Sequence, residues 1–581
     1  KTRVSRMDAL TQALAVVHAN QQQAASESDA SNTLVVSADL GERPQVSRHL
    51  FGLFLEHLGR CIYDGVADPS GCLRDDVAQA LLELRVPNLR WPGGCFADGY
   101  HWRDGIGPPE QRTRTVNQHW GGGVESNRFG SHEFMALCEA VKAEPYIVGN
   151  VGSGGVREMA DWLEYLTYAG ESSLAAERAA NGRAAPWKLR FWAVGNESWG
   201  CGGDMSAARY AEEFRRFGCF LRLHGETPLC KIACGADDDD YAWTATMMQQ
   251  ARKGRRWLLQ MLSLHVYCSM KVEGVTASAE GEAAWAVVLG KARRFATVLA
   301  RHCAVMDAHD PERQVGLAVD EWGCWYAPEP AASAAASAGA AAAREGAARA
   351  AASGAAAAVA AGGPAPAALL EQRGTLRDGL VTALCLHAMA AHAERVRLAN
   401  LAQAVNVLQA PLQTGAGGVL VRTPTFHALA LLSAHADGLR LHATLRAALY
   451  APPHHGGGGG AVGGGGAAGA RVSALATQSA TQPARLHVSF VHVHPLAETS
   501  LDLEMRGVGD VTLVSARQLT GRSTGSYNSV AAPVAVAPSD LPVAAVRVVG
   551  GRRLRLLLPP RSIVLVELLA ASPPPPPPAS V

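Results

Sequence analysis

Two glutamates in this chain follow short apolar runs that have the character of barrel strands. Glu197 closes the run Leu189–Glu197, and Glu321 lies at the end of the run Val315–Trp322. Each glutamate leads into a loop that contains Gly, Trp and Cys. In a (β/α)₈ barrel the chemistry stands at the C-terminal ends of the strands. A pair of carboxylates there can break a glycosidic bond, so we interpret the sequence as that of a retaining glycoside hydrolase.

A barrel that would position these glutamates is predicted between residues 47 and 410. Short strand-like runs alternate there with helical patterns, as in parallel β-α-β units, and the class is α/β. The predicted strands are 50–57, 86–92, 144–150, 189–196, 228–235, 261–267, 315–321 and 398–405. The predicted helices include Arg74–Leu84, Ser131–Lys142, Val156–Tyr168 and Ser206–Leu223, the last with Ser206 as its N-cap.

The pattern changes after residue 410. From 411 to 570, short Val- and Leu-rich segments separated by Gly, Pro and Ser predict an antiparallel β-sandwich with a Gly-rich loop at 455–470. A strand in segment 31–46 is expected to join it. The tail 1–30, the Ala-rich insertion 327–368 and the polyproline tail 571–581 are expected to lie outside both cores.

Composition excludes several classes of function. The 581 residues carry a net charge of +1, which argues against a nucleic-acid or anionic-membrane surface. We find no apolar run of about 18 residues and therefore expect no membrane span. Residues 1–30 are too poor in apolar residues for a signal peptide, although the chain begins at Lys1 and its N-terminus is open to doubt as a true start.

The cysteines and acidic residues predict no metal site and no cofactor. The twelve cysteines lack CxxC spacing, so free thiols in the cytoplasm or another reducing compartment are the expectation. The acidic run Asp237–Asp240 lacks the spacing of a calcium cage. The sequon Asn196–Ser198 falls inside the proposed site, where a glycan would block it.

The motifs resemble those of the α-L-arabinofuranosidases of glycoside hydrolase family 51, over about residues 35 to 440. The segments that carry the resemblance are Phe54–Tyr63, Leu89–Asp98, His101–Pro108, His119–Gly122, Gly149–Gly154, Val194–Gly203, Val319–Trp322 and Leu401–Gln409. The resemblance implies a barrel plus a β-sandwich that borrows an N-terminal strand. It also implies an exo-acting enzyme that releases terminal α-L-arabinofuranosyl units from oligo- or polysaccharides, and a homo-oligomer.

The resemblance also implies roles for individual residues. Glu197 would be the acid/base and Glu321 the nucleophile. The residues implied or proposed to contact the sugar are Glu56, Arg90, Cys95, Trp120, Asn196, His265, Tyr267, Trp322 and Gln403. Asn406 and Gln409 are expected to be structural.

Structural alternatives stay open for several of these residues. Glu56 and Arg90 could form ion pairs within the barrel mouth, and His265 could be a satisfied core histidine. His265 and Tyr267 alternate with period two, so both can point into the mouth. Cys95 would touch the sugar as a thiol, and Trp120 would either form an aromatic wall or pack in the core, as would Trp322.

Rival functions can be separated by assay or by pattern. A retaining barrel glycosidase of other specificity, such as a β-xylosidase or endoglucanase, would use the same two glutamates. The segment Gly149–Gly155 is not interpreted as a dinucleotide-binding motif, because Arg157 breaks the Gly-x-Gly-x-x-Gly pattern.

Overall fold

The structure, a computed structural model, describes residues 32–222, 224–251, 258–268, 275–329, 369–415, 418–451 and 469–572. The predicted tail 1–30, most of the insertion 327–368, the glycine runs of the loop at 455–470 and nearly all of the polyproline tail lie outside these residues. The chain forms two compact units. One holds Pro44–Gly438 with Thr524–Ala537, and the other holds the remainder.

The first unit contains a closed barrel of eight parallel strands, which confirms the predicted fold class. The strands are β1 (Gly52–Phe54), β2 (Asn88–Trp91), β3 (Glu144–Gly149), β4 (Phe191–Val194), β5 (Cys230–Asp237), β6 (Met261–Cys268), β7 (Gly316–Cys324) and β8 (Val396–Leu401). Each strand pairs with the next along the chain, and β8 pairs with β1. All eight overlap the predicted runs.

The strands are apolar runs because both of their faces are covered. Parallel strands with helices on one side and a filled interior on the other have no face left for water. The interior is filled by side chains from different strands, among them Tyr146, Phe191, Ile232, Ala318 and Leu398. The barrel is therefore a packed core, and only its rim is free for chemistry.

Helices connect and surround these strands. They are α1 (Asp75–Leu84), α2 (Ser131–Val141), α3 (Val156–Thr167), α4 (Ser173–Ala180), α5 (Ala207–Gly218), α6 (Tyr241–Gln250), α7 (Glu282–His309), α8 (Leu376–Ala391) and α9 (Pro424–Leu432). The Ser206 side chain accepts a hydrogen bond from the Arg209 backbone N–H, so the predicted N-cap of α5 is correct. This helix ends at Gly218, before the predicted end at Leu223, and Phe220 beyond it is exposed.

Short elements complete the barrel unit. The small antiparallel pairs are Thr115–Val116 with Val124–Glu125 and Leu412–Thr414 with Leu420–Arg422. The 3₁₀ turns are Arg48–Phe51, Cys95–Gly99, Trp102–Gly105, Pro109–Gln111 and Ser433–His435. Among the described helices, none combines the length and apolar character needed to cross a membrane.

The predicted sandwich boundary at residue 411 differs from the structure. Residues 411–438 belong to the barrel unit, as do residues 524–537. The reason is helix α9, which is buried over most of its length and packs against α8. A nine-residue helix of this kind has an apolar run that is hard to tell from a strand.

The second unit is a β-sandwich of two sheets. The five-stranded sheet is ordered His442–Arg446, Thr33–Ser37, Thr499–Arg506, Arg553–Leu558 and Val546–Gly550. The six-stranded sheet is ordered Leu439–Arg440, Val472–Gln478, Arg485–His492, Ser562–Ala570, Val511–Leu519 and Ser539–Asp540. A pair Leu449–Tyr450 with Gly469–Ala470 and a 3₁₀ turn Val543–Ala545 complete it.

The N-terminal strand is part of this sandwich, as predicted. Thr33–Ser37 pairs antiparallel with His442–Arg446 and parallel with Thr499–Arg506. Its Leu34 and Val36 are fully buried in a core shared with residues of both sheets. The period-two alternation of apolar residues thus has one face in the core and one outside.

Candidate active site

The barrel rim brings Glu197 and Glu321 together. Glu197 follows β4 by three residues, and Glu321 lies within β7. One oxygen of Glu197, one oxygen of Glu321 and a nitrogen of His265 all lie within 4.8 Å of one another. The backbone φ of Glu197 is +40°, a left-handed conformation that is uncommon outside glycine and often marks functional sites. Two carboxylates at this separation can act on opposite sides of one sugar carbon.

A β-bulge in β7 turns two neighbouring acidic residues into the barrel. The register between β7 and β6 shifts between Ala318 and Glu321. Asp320 Oδ2 accepts a hydrogen bond from the Tyr146 hydroxyl at 2.6 Å, inside the barrel. In a regular strand, neighbours point to opposite faces, so the sequence pattern gave no sign that Asp320 belongs to the site.

Glu321 is held at both of its oxygens. Arg90 Nη1 donates to Oε1 at 2.9 Å, and the Tyr267 hydroxyl donates to Oε2 at 2.9 Å. Arg90 is buried, and its Nε lies 3.5 Å from Asp320 Oδ2. Burial alone lowers the pKa of Arg90, but the charges of Asp320 and Glu321 outweigh it and raise that pKa. The guanidinium therefore stays charged and fixes the Glu321 carboxylate in place.

Glu197 has the opposite electrostatic environment. Burial and the nearby charge of Glu321 raise its pKa, while a hydrogen bond from His265 opposes the rise. His265 Nδ1 lies 2.8 Å from Glu197 Oε1 and 3.6 Å from Glu321 Oε2. A carboxyl with a raised pKa is suited to carry a proton to a leaving group.

His265 is a charged bridge among three carboxylates. Its Nε2 lies 3.4 Å from Asp320 Oδ1, opposite the nitrogen that faces the two glutamates. Burial alone lowers its pKa, but Glu321, Asp320 and Glu197 together raise it well above the ordinary value. Both ring nitrogens therefore carry hydrogen, and the residue is part of the site rather than a neutral core histidine.

Glu56 forms a second acidic position across the rim. It accepts hydrogen bonds from Phe96 N at 3.1 Å, Trp120 Nε1 at 2.8 Å and Gln403 Nε2 at 2.9 Å. Burial and the charge of Glu321 raise its pKa to about 7, although the hydrogen bonds from Trp120 and Phe96 and the charge of Arg90 oppose the rise. The open alternative of an ion pair between Glu56 and Arg90 or Arg60 is not what the hydrogen bonds show.

Two amide side chains in the site keep an atom free for a ligand. Asn196 Oδ1 accepts from Arg90 Nη2 at 2.5 Å, which leaves its buried Nδ2 without a hydrogen-bond partner. Gln403 donates its Nε2 to Glu56, and its buried Oε1 has no partner. Buried polar atoms are nearly always satisfied, so an unpaired donor and an unpaired acceptor here are suited to sugar hydroxyls.

Asp98 is a second acidic residue whose role the motifs did not reveal. Its Oδ1 accepts from the backbone N–H groups of Val151 and Gly152, and its Oδ2 accepts from the N–H of Asn196. Burial raises its pKa to about 6, and these three donors oppose the rise. Asp98 thus ties the loop after β3 to the loop that carries Asn196 and Glu197.

Cys95 is not a thiol in the structure, which corrects the expectation of free cysteines for this position. Cys95 and Cys201 form a disulfide with a Cα–Cα distance of 5.5 Å. Cys95 Sγ lies 3.7 Å and Cys201 Sγ lies 3.5 Å from the same oxygen of Glu197, Oε2. The two residues are 106 apart in sequence, so only the meeting of the loops after β2 and β4 reveals the pair.

The two tryptophans behave differently. Trp120 is half-buried and donates its indole N–H to Glu56, and its contact with a sugar stays a prediction. Trp322 is completely buried, and its ring lies 6.5 Å from that of Phe295 on helix α7. As the neighbour of Glu321 it points to the other face of β7, and the expectation that it forms a sugar platform is wrong.

Other residues singled out in the sequence have structural roles. Asp238 and Asp239 form ion pairs with Arg294, and Asp240 caps helix α6 by accepting from Trp243 N. Asn406 donates to the Arg60 backbone, and Gln409 accepts from the Cys324 backbone N–H and donates to the Asp378 carbonyl.

These features define a class of protein. A closed (β/α)₈ barrel carries, at the C-terminal ends of its strands, one carboxyl with a raised pKa beside a second carboxylate held by an arginine and a tyrosine. That combination is typical of a glycoside hydrolase.

Comparisons with known proteins identify the family. Two family models match, the α-L-arabinofuranosidase 1 domain at residues 80–274 and the α-L-arabinofuranosidase C-terminal domain at residues 320–562. An intracellular exo-α-L-arabinofuranosidase of Bacteroides ovatus is 40% identical over 422 residues, 71% of this chain and 74% of that protein.

Solved structures agree with this assignment. The family 51 arabinofuranosidase of Xanthomonas axonopodis pv. citri is 38% identical, with a TM-score of 0.80 over 92% of this chain and 100% of the other. An α-L-arabinofuranosidase of Thermotoga maritima in complex with arabinose is 25% identical, with a TM-score of 0.72 over 92% of this chain and 99% of the other. The chain belongs to glycoside hydrolase family 51.

Proposed function

We propose that the protein is a retaining, exo-acting α-L-arabinofuranosidase that releases terminal non-reducing α-L-arabinofuranosyl units from oligo- or polysaccharides. The observation that carries the proposal is the unequal pair of carboxyls at the rim. Glu197 has a raised pKa, and one oxygen of Glu321 lies within 4.8 Å of one of its oxygens, a spacing that lets both act on one sugar carbon. Family membership supports the substrate, since the Bacteroides ovatus relative is named an exo-α-L-arabinofuranosidase.

In the first step Glu321 attacks the anomeric carbon while Glu197 protonates the leaving oxygen. Arg90 and Tyr267 each hold one oxygen of Glu321, so the carboxylate is oriented before the substrate arrives. The Glu197 oxygen that faces away from His265 is Oε2, and this oxygen is placed to carry the proton.

In the second step Glu197 acts as a base on water. Once Glu321 has become a neutral ester, the negative charge that raises the pKa of Glu197 is gone. The pKa of Glu197 then falls, and the carboxylate that has just given up its proton can accept one from the attacking water. The free Nδ2 of Asn196 is suited to donate to the sugar 2-hydroxyl, a bond that strengthens as positive charge develops in the ring.

The substrate is tested with a panel of aryl glycosides. We expect hydrolysis of the α-L-arabinofuranoside and poor hydrolysis of the β-D-xylopyranoside and of cellulose, with NMR showing the α-anomer of arabinose first. Preferred hydrolysis of the xyloside would favour a barrel glycosidase of other specificity. Initial formation of the β-anomer would refute retention.

The two roles are tested separately by substitution. In Glu197→Gln, turnover should fall by about 10² to 10⁴ on substrates with a poor leaving group and much less in the glycosylation step with a dinitrophenyl group. Glu321→Gln should lose turnover on both kinds of substrate. The matched control is Glu177→Gln, which removes an exposed ion pair with Arg103. Equal losses of Glu197→Gln on both substrates would contradict the acid role.

Compartment and assembly belong to the same proposal. We place the protein in the cytoplasm or another reducing compartment, in keeping with the intracellular relative of Bacteroides ovatus. Assembly into a homo-oligomer is tested by light scattering of the purified chain, and a monomer at all concentrations would reject it.

A further inference from the structure

The Cys95–Cys201 disulfide lies beside Glu197, the proposed acid/base. Both sulfurs face one oxygen, Glu197 Oε2, at 3.7 and 3.5 Å. All three residues are partly exposed, so the pair can be reached from solvent. The other ten cysteines are not disulfide-bonded, and most of them are buried. The sulfur pair is therefore an isolated, accessible feature of the cleft.

The sulfur-to-oxygen distances match those of a tetrahedral zinc site. With Zn–S bonds of about 2.3 Å, Zn–O bonds of about 2.1 Å and tetrahedral angles, a ligating sulfur and oxygen lie about 3.6 Å apart. The two observed distances, 3.5 and 3.7 Å, bracket that value. The two sulfurs, by contrast, would have to separate to about 3.8 Å, and this requires the S–S bond to break.

We propose that reduction of the Cys95–Cys201 disulfide creates a binding site for a thiophilic divalent cation such as Zn²⁺, with Glu197 Oε2 as the third ligand. Thiolates are strong ligands for such ions, whereas disulfide sulfurs carry no charge and bind them poorly. The fourth position, on the cleft side, is open for water, as in zinc sites with three protein ligands.

Occupation of this site would stop the hydrolysis, and this consequence rests on the proposed role of Glu197. The oxygen that the cation takes is the one placed to carry the proton to the leaving group. A coordinated carboxylate neither holds that proton nor accepts one from water. The ion would also fill space beside the scissile bond.

The chemistry of the switch balances. A phosphine reductant gives two electrons to the sulfur pair, the S–S bond breaks, and the phosphine takes the oxygen of a water molecule. The two protons of that water end on the two thiols. When the cation binds, two metal–sulfur bonds form and the two thiol protons pass to solvent.

A competing metal site is present in the same cluster and serves as an alternative outcome. Glu197, His265 and Glu321 also bring three ligand atoms within 4.8 Å of one another. His265 there is a hydrogen-bond donor to Glu197 with a raised pKa, and a cationic imidazole opposes a metal ion. Binding at that group would not depend on the redox state of the cysteines.

The test compares oxidised and phosphine-reduced full-length enzyme, both freed of metal. Cd²⁺ is added as the probe, and cadmium–thiolate charge-transfer absorption reports binding independently of activity. We expect reduction to add about one bound Cd²⁺ per chain, with a matching rise in this absorption above the level that the other free thiols give in the oxidised chain. Zn²⁺ should then inhibit hydrolysis of an aryl α-L-arabinofuranoside by the reduced enzyme at concentrations about a hundredfold lower than for the oxidised enzyme.

Variants identify the ligands. Cys201→Ser should lose the redox-dependent response to Zn²⁺, and Cys95→Ser should do the same. The matched control Cys72→Ser removes an exposed thiol that is not part of this cluster and should keep the response. Equal inhibition of oxidised and reduced wild type would place the cation at the His265 group and overturn the inference.

Failure of this inference is distinguishable from failure of the proposed function. Suppose that the oxidised, metal-free enzyme hydrolyses the arabinofuranoside but reduction adds no cadmium–thiolate absorption. That result would overturn the metal site alone. Redox-dependent absorption in a chain that hydrolyses none of the glycosides would support the metal site and overturn the function.

Discussion

The stability advantage of Glu56→Gln over the wild type should grow as pH rises. Glu56 is buried, and burial with the charge of Glu321 raises its pKa from 4.5 to about 7. In the unfolded chain the carboxyl loses its proton near pH 4.5, while the folded protein keeps that proton until about pH 7. The unfolded state therefore binds fewer protons in this interval, and the free energy of unfolding falls as pH increases. Glutamine does not titrate, so Glu56→Gln lacks this loss.

The size of this stability difference follows from the shift in the pKa of Glu56. At roughly 1.4 kcal/mol per pKa unit, the rise from 4.5 to about 7 corresponds to about 3 kcal/mol between pH 4 and pH 8. The barrel unit contains about 400 residues, and its unfolding entropy near Tm is of the order of 0.8 kcal/mol per degree. The difference in Tm between Glu56→Gln and wild type should thus grow by about 4 °C across this pH range.

The assay is differential scanning calorimetry of both proteins at pH 4, 6 and 8 at one scan rate. A matched control is Glu125→Gln. Glu125 is also buried, but although burial raises its pKa, His57 and Tyr63 lower it further, so the net shift is downward. Its variant should fall further below the wild type in Tm as pH rises from acid toward the ordinary carboxyl pKa, and the deficit should stay constant above that pKa, which is the opposite sign. A pH-independent difference for Glu56→Gln would refute the burial argument.

Further predictions concern the partners of the two glutamates and the helix cap. Tyr267→Phe removes the hydrogen bond to Glu321, and kcat/KM measured on the aryl arabinofuranoside should fall by about tenfold to a hundredfold; an unchanged value would show that Tyr267 does not orient the carboxylate. Asp320→Asn leaves Arg90 short of a counter-charge and should lower stability by about 3 kcal/mol. The pKa of Asp320 is lowered because Arg90 and His265 outweigh burial, so this loss should be full above pH 4 and shrink as the wild type is titrated into acid, as urea unfolding would show. Ser206→Ala should cost about 1 kcal/mol in urea unfolding, and a loss below a few tenths would mean that the cap on α5 contributes little.

The barrel could be predicted because its strands are buried on both faces. Such strands are continuous apolar runs, and all eight were found in the sequence between helical patterns. The boundary of the sandwich was missed at helix α9, whose apolar residues are contiguous and give no helical stripe. Helix α5 ends earlier than the sequence predicts. The apolar pattern continues to Phe220, but the fold leaves that residue exposed.

Within the site, residues that follow a strand end could be predicted and residues that depend on a local irregularity could not. His265 and Tyr267 alternate in β6 and were expected to face the mouth, where the structure places them. Asp320 enters the site through a bulge, which no alternation pattern reveals. The Cys95–Cys201 pair depends on how two loops meet, and sequence spacing carries no information about that.

The carboxyls of the site differ in pKa because the buried positive charges lie nearer to some of them than to others. Five carboxyl groups lie at the site, Glu56, Asp98, Glu197, Asp320 and Glu321, and two cations, Arg90 and His265, lie among them. Arg90 forms ion pairs with Asp320 and Glu321, whereas burial and the charge of Glu321 raise the pKa of Glu56 and of Glu197. A raised pKa favours the protonated form of these two carboxyls. The fixed position of Arg90 on β2 therefore supports the proposed roles, with Glu321 on β7 as the attacking carboxylate and Glu197 as the group that protonates the leaving oxygen.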